Sequence, residues 1–422
     1  MKIISRLIPA GVMALVLSVA SCTTEKKAEK EGEDTPEPVA DSIMPQADSI
    51  VAEMTAPSPW SLVPVSLDGK SWSFVDTAGN ILMRNEFASM PYLPHEGYFT
   101  MANDSGKYNV YALTDSGYNA VKNLEGLIAA GYMADGLIPV VTDGSRIEVY
   151  NGMGEKRFEA MPVDSVEVTS VNSGYTEGML CFRLANGKMG FYDTEGNVAV
   201  APLYDEVSFF SDGLAVAGIA QDSVHTDYTV IDKTGATRFM LPQGEHPSLL
   251  YNKGFNNGVL IATNDSIFFL YDTEGRKTAF PDSIAKIEEA DAEFVIFRDV
   301  NNGWGVARHD GRVVIEPEYN FITFAGADGP FGGGDSSAGF FVCSENESFL
   351  FNHEGIPLKT FEVPEALPFG KFGVFLFDGK KFSLRDPYGV KKHDGKFEDL
   401  NMSALSPFDI IESLYVPSEE SE

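Results

Sequence analysis

A strand–turn–strand phrase recurs along this chain: a hydrophobic run, Asp or Asn, two residues, a Gly, and a second hydrophobic run. The clearest copies are Phe74-Val75-Asp76-Thr77-Ala78-Gly79, Phe191-Tyr192-Asp193-Thr194-Glu195-Gly196 and Leu270-Tyr271-Asp272-Thr273-Glu274-Gly275, with Val230-Ile231-Asp232-Lys233-Thr234-Gly235 as another. Each reads as a β-hairpin whose tight turn needs the left-handed backbone that Gly tolerates. Read along the chain, the turn glycines are Gly79, Gly117, Gly154, Gly196, Gly235, Gly275, Gly311, Gly355 and Gly389, about 39 residues apart on average. A unit of that length without a convincing helix holds about three or four short strands, and one hairpin alone cannot bury its face, so units must stack. The period predicts an all-β repeat protein, a β-propeller-like ring of about seven to nine short antiparallel sheets. An open β-solenoid of stacked hairpins is the alternative.

Composition agrees with strands. The chain has 422 residues, 44% of them hydrophobic, with 30 Phe and 16 Tyr, and aromatic residues favour pleated, half-buried surfaces. The formal charge of −31 repels nucleic acid and anionic lipid surfaces and promotes solubility. No basic patch with interleaved aromatics occurs, so nucleic-acid binding is not expected.

Residues 1–21 read as a targeting segment rather than part of the fold. Lys2 and Arg6 form a basic start, Leu7 to Val19 an apolar stretch, and Val19-Ala20-Ser21-Cys22 ends it in small residues followed by Cys. This stretch resembles the lipobox of bacterial lipoproteins, which implies that Cys22 is the lipidated N-terminus of the mature chain. Several acyl chains on one Cys would anchor the protein stably, since each buried methylene contributes about 0.8 kcal/mol. No later stretch reaches the ~18 apolar residues of a membrane span. Thr23 follows Cys22 where an Asp would suggest inner-membrane retention, so the expected address is the outer membrane, on its periplasmic or cell-surface face. Residues 22–58 are rich in Glu, Asp, Pro and Ala and read as a disordered tether. Residues 59–416 carry the strand-and-turn texture, and 417–422 form an acidic tail.

The fullest unit contains Lys188-Met189-Gly190-Phe191-Tyr192-Asp193, Gly196, Pro202, Tyr204-Asp205, Phe210 and Gly213-Leu214-Ala215-Val216. A second copy contains Gly303-Trp304-Gly305-Val306, Gly311, Val313-Val314-Ile315, Pro317, Tyr319 and Phe324. Both stretches resemble the WG repeat, a bacterial β-repeat named for its Trp-Gly dipeptide. Met189-Gly190 stands in for Trp-Gly in the first, and the units before Gly154 are degenerate. The resemblance implies a fold and no single activity. Within a unit, Asp193 is expected to cap its turn through backbone amides. Pro202 and Pro317 are expected to end the hairpin's second strand, Tyr204 and Tyr319 to pack between sheets, and Gly213 to Val216 to form a buried inner strand.

Residues with chemical potential do not assemble into a recognisable constellation. Cys181 and Cys343 lie in strand-like runs about four units apart, which favours two buried thiols over a disulfide. His95, His225, His246, His309, His353 and His393 form no paired metal motif. His309 and His353 precede turn glycines, which marks them as turn residues. Ser283-Ile284-Ala285-Lys286 fits Ser-x-x-Lys without partner motifs, and Gly332-Gly333-Gly334-Asp335 lacks the Lys and helix of a phosphate loop. No catalytic residue, cofactor or metal is therefore expected. The expected role is a lipid-anchored cell-envelope binding or scaffold protein, non-enzymatic, whose partner is another envelope protein or a glycan. The alternative is a propeller-type glycan-active hydrolase or lyase with carboxylates converging from several repeats.

Overall fold

The structure, a computed structural model, describes residues 62–416 except 67–69, 77–80, 90, 93, 115–116, 143–145, 249–253, 327–334, 362–364, 369–373, 378–380, 386–390 and 397–412. The chain divides into Met1–Pro57 and Ser58–Glu422, and every described residue belongs to the second unit. The targeting segment 1–21, Cys22, the tether 22–58 and the tail 417–422 lie outside the described residues, as do Gly79, Gly389 and Gly332 to Gly334.

Among the described residues there is no helix. The strands form nine antiparallel sheets that follow one another in chain order. Sheets 1 (62–87) and 2 (98–120) have three described strands; in sheet 2 an isolated bridge, His95 to Tyr98, stands in place of a regular first strand. Sheet 3 spans 129–159, sheet 4 spans 168–204, sheet 5 spans 206–240 and sheet 6 spans 246–279. Sheets 7, 8 and 9 cover 284–319, 321–361 and 365–396. From sheet 3 onward each is a four-stranded meander, with an added short strand Phe255–Asn256 in sheet 6. Sheet 4 also carries Ser413–Tyr415, which pairs with its first strand, Val168–Asn172.

The core lies between sheets, and strand alternation builds it. In the second strand of sheet 7, Phe294–Asp299, side chains point alternately to opposite faces. Phe294 and Ile296 pack with Phe324 and Phe340 of sheet 8, whereas Val295 and Phe297 pack with Leu270 of sheet 6 and Ile287. Sheet 5 divides in the same way: Ala215, Ala217 and Ile231 face Phe191 of sheet 4, and Val216 and Val230 face Leu260 of sheet 6. Second strands buried on both faces therefore read as continuous apolar runs, such as Leu137–Val141. Fourth strands alternate, as in Val313–Tyr319, because they are exposed edges.

Two expectations are corrected by this arrangement. Pro202 and Pro317 do not end their strands; they lie inside the fourth strands Val198–Tyr204 and Val313–Tyr319. Both ladders shift register there: Met189 faces Tyr204 but Phe191 faces Val200, and Trp304 faces Tyr319 but Val306 faces Ile315. An edge strand with a bulge tolerates the missing amide donor. Leu214 to Val216 is buried as expected but forms the second strand, the first being the two-residue Glu206–Val207; Gly213 is in the preceding turn, at φ 73°. Tyr204 and Tyr319 do pack between sheets, against Phe210 and against Phe351 respectively.

The Trp-Gly dipeptide has a packing cause at this bulge. A Cβ on Gly305 would stand 2.8 Å from the Ile315 carbonyl oxygen and 2.9 Å from the Phe297 ring; on Gly190 it would stand 2.5 Å from the Val200 oxygen and 3.0 Å from the Phe182 ring. Only Gly lets the bulged fourth strand and the second-strand Phe ring close on the third strand from both sides.

Candidate interaction surface

Antiparallel meanders place the first–second and third–fourth turns at the same end of each sheet. In sheets 2 to 6 the first–second turns are two-residue hairpins, at Glu96-Gly97, Asp135-Gly136, Glu177-Gly178, Asp212-Gly213 and Asn257-Gly258. Their first residue is held at positive φ, between 49° for Glu96 and 56° for Asp212. Such turns match the twist of the flanking strands and suit short polar residues followed by Gly. They also leave amide donors pointing away from their own hairpin.

Those donors are taken by the preceding sheet. Glu96 accepts from the amides of Asp135 and Gly136 at 2.9 Å each. Asp135 accepts from Gly178 N at 2.7 Å, Glu177 from Gly213 N at 2.9 Å, and Asp212 from Gly258 N at 2.8 Å. Sheets 2, 3, 4, 5 and 6 are thus linked head to tail through carboxylates that are also turn residues. Asp291 repeats the contact further along, accepting Ser336 N of sheet 8 at 2.7 Å. Sequence reasoning missed this series, although its signal is visible: Asp, Glu or Asn, then Gly, then two apolar residues opening a second strand.

The third–fourth turns at the same end carry a second set of acids. Asp193 accepts from Glu195 N and Asn197 N at 2.9 and 2.8 Å, as expected of a turn cap, and Asp232 and Asp272 do the same in sheets 5 and 6. Burial works to raise the Asp193 carboxyl, but hydrogen bonds from Asn197, Glu195 and Gly196 outweigh it and hold it below the usual range. The hydroxyl and amide of Thr234 hold Asp232 low. The turn glycines approach the preceding sheet closely, and a Cβ on Gly196, at φ 85°, would lie 2.5 Å from the Phe158 ring of sheet 3. This end of the sheets is a firmly tied, anionic array of turns.

Away from the turns, Tyr–Glu pairs recur. Tyr150 donates to Glu148 at 2.6 Å, Tyr228 to Glu206 at 2.6 Å and Tyr271 to Glu245 at 2.5 Å. Lys156 and Lys277 complete the first and third pairs, and Lys277 Nζ also sits 3.6 Å above the Phe269 ring. Burial and then the Glu148 carboxylate push the Tyr150 phenol up to about 12. In sheet 7, Glu289 accepts from Thr323 Oγ1 of sheet 8 at 2.8 Å and faces the Phe324 amide at 3.4 Å. Enclosure by packed neighbours pushes its carboxyl up to about 7 against those two hydrogen bonds, with Glu288 and Asp291 adding to the rise.

The residues singled out in the sequence fall in separate places. Cys181 and Cys343 are buried thiols in the second strands of sheets 4 and 8 and form no disulfide; burial pushes Cys181 up to about 12. His309 Nε2 contacts the Asp291 carbonyl at 2.8 Å and so braces the first–second turn of sheet 7, and His353 Nε2 contacts the Ser336 carbonyl at 2.5 Å, at the start of the second strand of sheet 8. Lys286 binds Glu288 at 2.7 Å. Among the described residues, no group of His, Cys, Asp or Glu is arranged to hold a metal ion.

Consecutive antiparallel sheets packed face to face, tied turn to turn, define a propeller-like β-repeat protein. Within that class, two stretches of the chain match the model of the WG containing repeat, residues 189–218 and 304–327. Both matches begin at the third strand of one sheet and end in the next, so the sequence unit straddles two sheets. Among solved structures, the chain is similar to a eukaryotic initiation factor at 11% identity and a TM-score of 0.50, covering 85% of this chain and 99% of that one. BamB from Moraxella catarrhalis matches at 13% identity and a TM-score of 0.34, covering 71% of this chain and 91% of that one. The C-terminal WD40 domain of Sif2 matches at 10% identity and a TM-score of 0.35, with the same coverage of 71% and 91%. No curated protein sequence matches the chain.

Proposed function

We propose that this protein is a non-enzymatic binding or scaffold module of the cell envelope, held at the outer membrane by lipid on Cys22, whose partner is another envelope protein or a glycan. The observation that supports the reading is the use made of the carboxylates at the turn end. Glu96, Asp135, Glu177, Asp212 and Asp291 are each engaged by a backbone amide of another sheet, and Asp193, Asp232 and Asp272 by their own turns. Groups committed in this way hold a surface in shape, and they are poor candidates for proton transfer, which needs a carboxyl poised near the working pH. A rigid, anionic face of turns suits a partner with complementary cationic or hydroxyl-rich chemistry.

The test is a pull-down with the tagged full-length chain from native envelopes, run beside a glycan array. Specific recovery of an envelope protein, or glycan retention without cleavage, supports the proposal. Cleavage of an arrayed glycan would show the non-enzymatic reading to be wrong. For the address, Cys22→Ala is expected to shift the protein from the membrane pellet to the soluble fraction; continued pelleting would overturn the anchor.

A further inference from the structure

Among the described residues, sheet 4 alone carries a strand from a distant part of the chain, and it covers the edge of the sheet's first strand. Ser413, Leu414 and Tyr415 face Asn172, Val171 and Ser170, and Val416 N donates to Thr169 O at 2.9 Å. Alternation sorts the side chains. Leu414 is 1% exposed and enters the cluster between sheets 3 and 4, with Val141, Val149, Val171 and Leu180 around it; Val416 packs at the same cluster and Tyr415 is 66% exposed. The contact has the form of a peptide bound by strand addition, in which backbone bonds give affinity and pockets for alternate side chains give selectivity.

We infer that the Val168–Asn172 edge, with the apolar recess between sheets 3 and 4, is a docking site for an extended segment of a partner protein with apolar residues two apart, a site that the chain's own Leu414-Tyr415-Val416 fills as a placeholder. Two observations point to exchange rather than permanent closure. The strand is three residues long, and its anchor is one fully buried side chain. Any segment that offers Leu-x-Val in extended form reproduces every contact described. The inference deepens the proposed binding role by naming a partner chemistry, and its test needs no envelope partner, so the two fail independently.

The experiment uses the full-length chain carrying Leu414→Asp, which puts a charge in the recess and frees the edge. A fluorescent peptide of residues 409–418 is titrated into this variant and into wild type, and binding is followed by anisotropy. The variant is expected to bind saturably, and wild type at least about tenfold more weakly because its site is already filled. A peptide with the same Leu→Asp change should lose binding by at least about tenfold. A folded variant that does not bind the wild-type peptide overturns the inference. Hydrogen exchange on wild type supplies a reading that does not depend on the variant's folding. If the strand detaches, the Leu414 and Val416 amides exchange at least about tenfold faster than those of Leu180–Leu184. Equal protection, or loss of the fold on Leu414→Asp, would make the strand an integral part of sheet 4 and refute the proposal.

Discussion

At Gly196 one residue meets two demands, a left-handed backbone at φ 85° and contact with the Phe158 ring of the neighbouring sheet. Left-handed backbone costs a side-chain-bearing residue about 1 kcal/mol or more, and a displaced aromatic ring adds to that. Gly196→Ala is therefore expected to lower stability by about 2 kcal/mol, read as a shift in the urea midpoint with an unchanged slope. Glu289 sets a different kind of test. Its carboxyl is neutral-favouring in the fold, pushed up to about 7 from the ordinary glutamate value of 4.5, so the folded state retains a proton that the unfolded state has released between those values. Stability from this group is full below the unfolded value and falls as pH rises through the folded one. Glu289→Gln, which mimics the protonated form, should match wild type near pH 5 and melt at a higher temperature near pH 8, a divergence visible in paired thermal melts. Of these two residues only the glycine was legible in the sequence. Its position in the turn phrase announces the backbone need, whereas the environment of Glu289 depends on Thr323 and Phe324 of another sheet, which no local pattern brings near.

Hairpins that tie to one another through their turns explain why sheets as small as these stack in fixed relation. The Asp212–Gly258 contact at 2.8 Å is one such tie between sheets 5 and 6. Its exposure limits its worth, and Asp212→Ala is expected to cost about 1 kcal/mol. Asp212→Asn keeps an acceptor oxygen and should recover much of that; equal losses in chemical denaturation would refute the hydrogen-bond account. The Asp-x-x-Gly turns were readable because turn and cap lie within a few residues of each other. The Asp/Glu-Gly series was equally present in the sequence, but its partners lie 36 to 46 residues apart, so its inter-sheet role emerged only in three dimensions. The offset between sequence unit and sheet has the same origin. Trp304-Gly305 and Tyr319 read as one unit because they are close in sequence, yet the matched stretch runs on into Phe321–Gly326 of sheet 8. The Trp304 and Phe321 rings, 5.1 Å apart, pack across that boundary.

For the molecule as a whole, the period of the turn glycines was enough to read the class of fold and a range of about seven to nine sheets, of which the described residues form nine, since stacking is the only way hairpins of this size bury their faces. The C-terminal strand was not readable. Ser413-Leu414-Tyr415 is short and apolar like many others, and nothing local assigns it to sheet 4. Its pairing with Val168–Asn172 joins positions separated by more than half the chain. Nearly every other ladder forms between neighbours in sequence, which are fast to meet; this one waits for a long loop to close. Refolding followed by pulsed hydrogen exchange should therefore show the sheet amides protected first and Leu414 last. During synthesis the order is stricter, because the Val168–Asn172 edge is made more than half a chain before its partner strand. Until Ser413–Tyr415 arrives, that edge stands open to any extended peptide nearby, so the nascent chain passes through a stage in which sheet 4 is a ready template for mispairing.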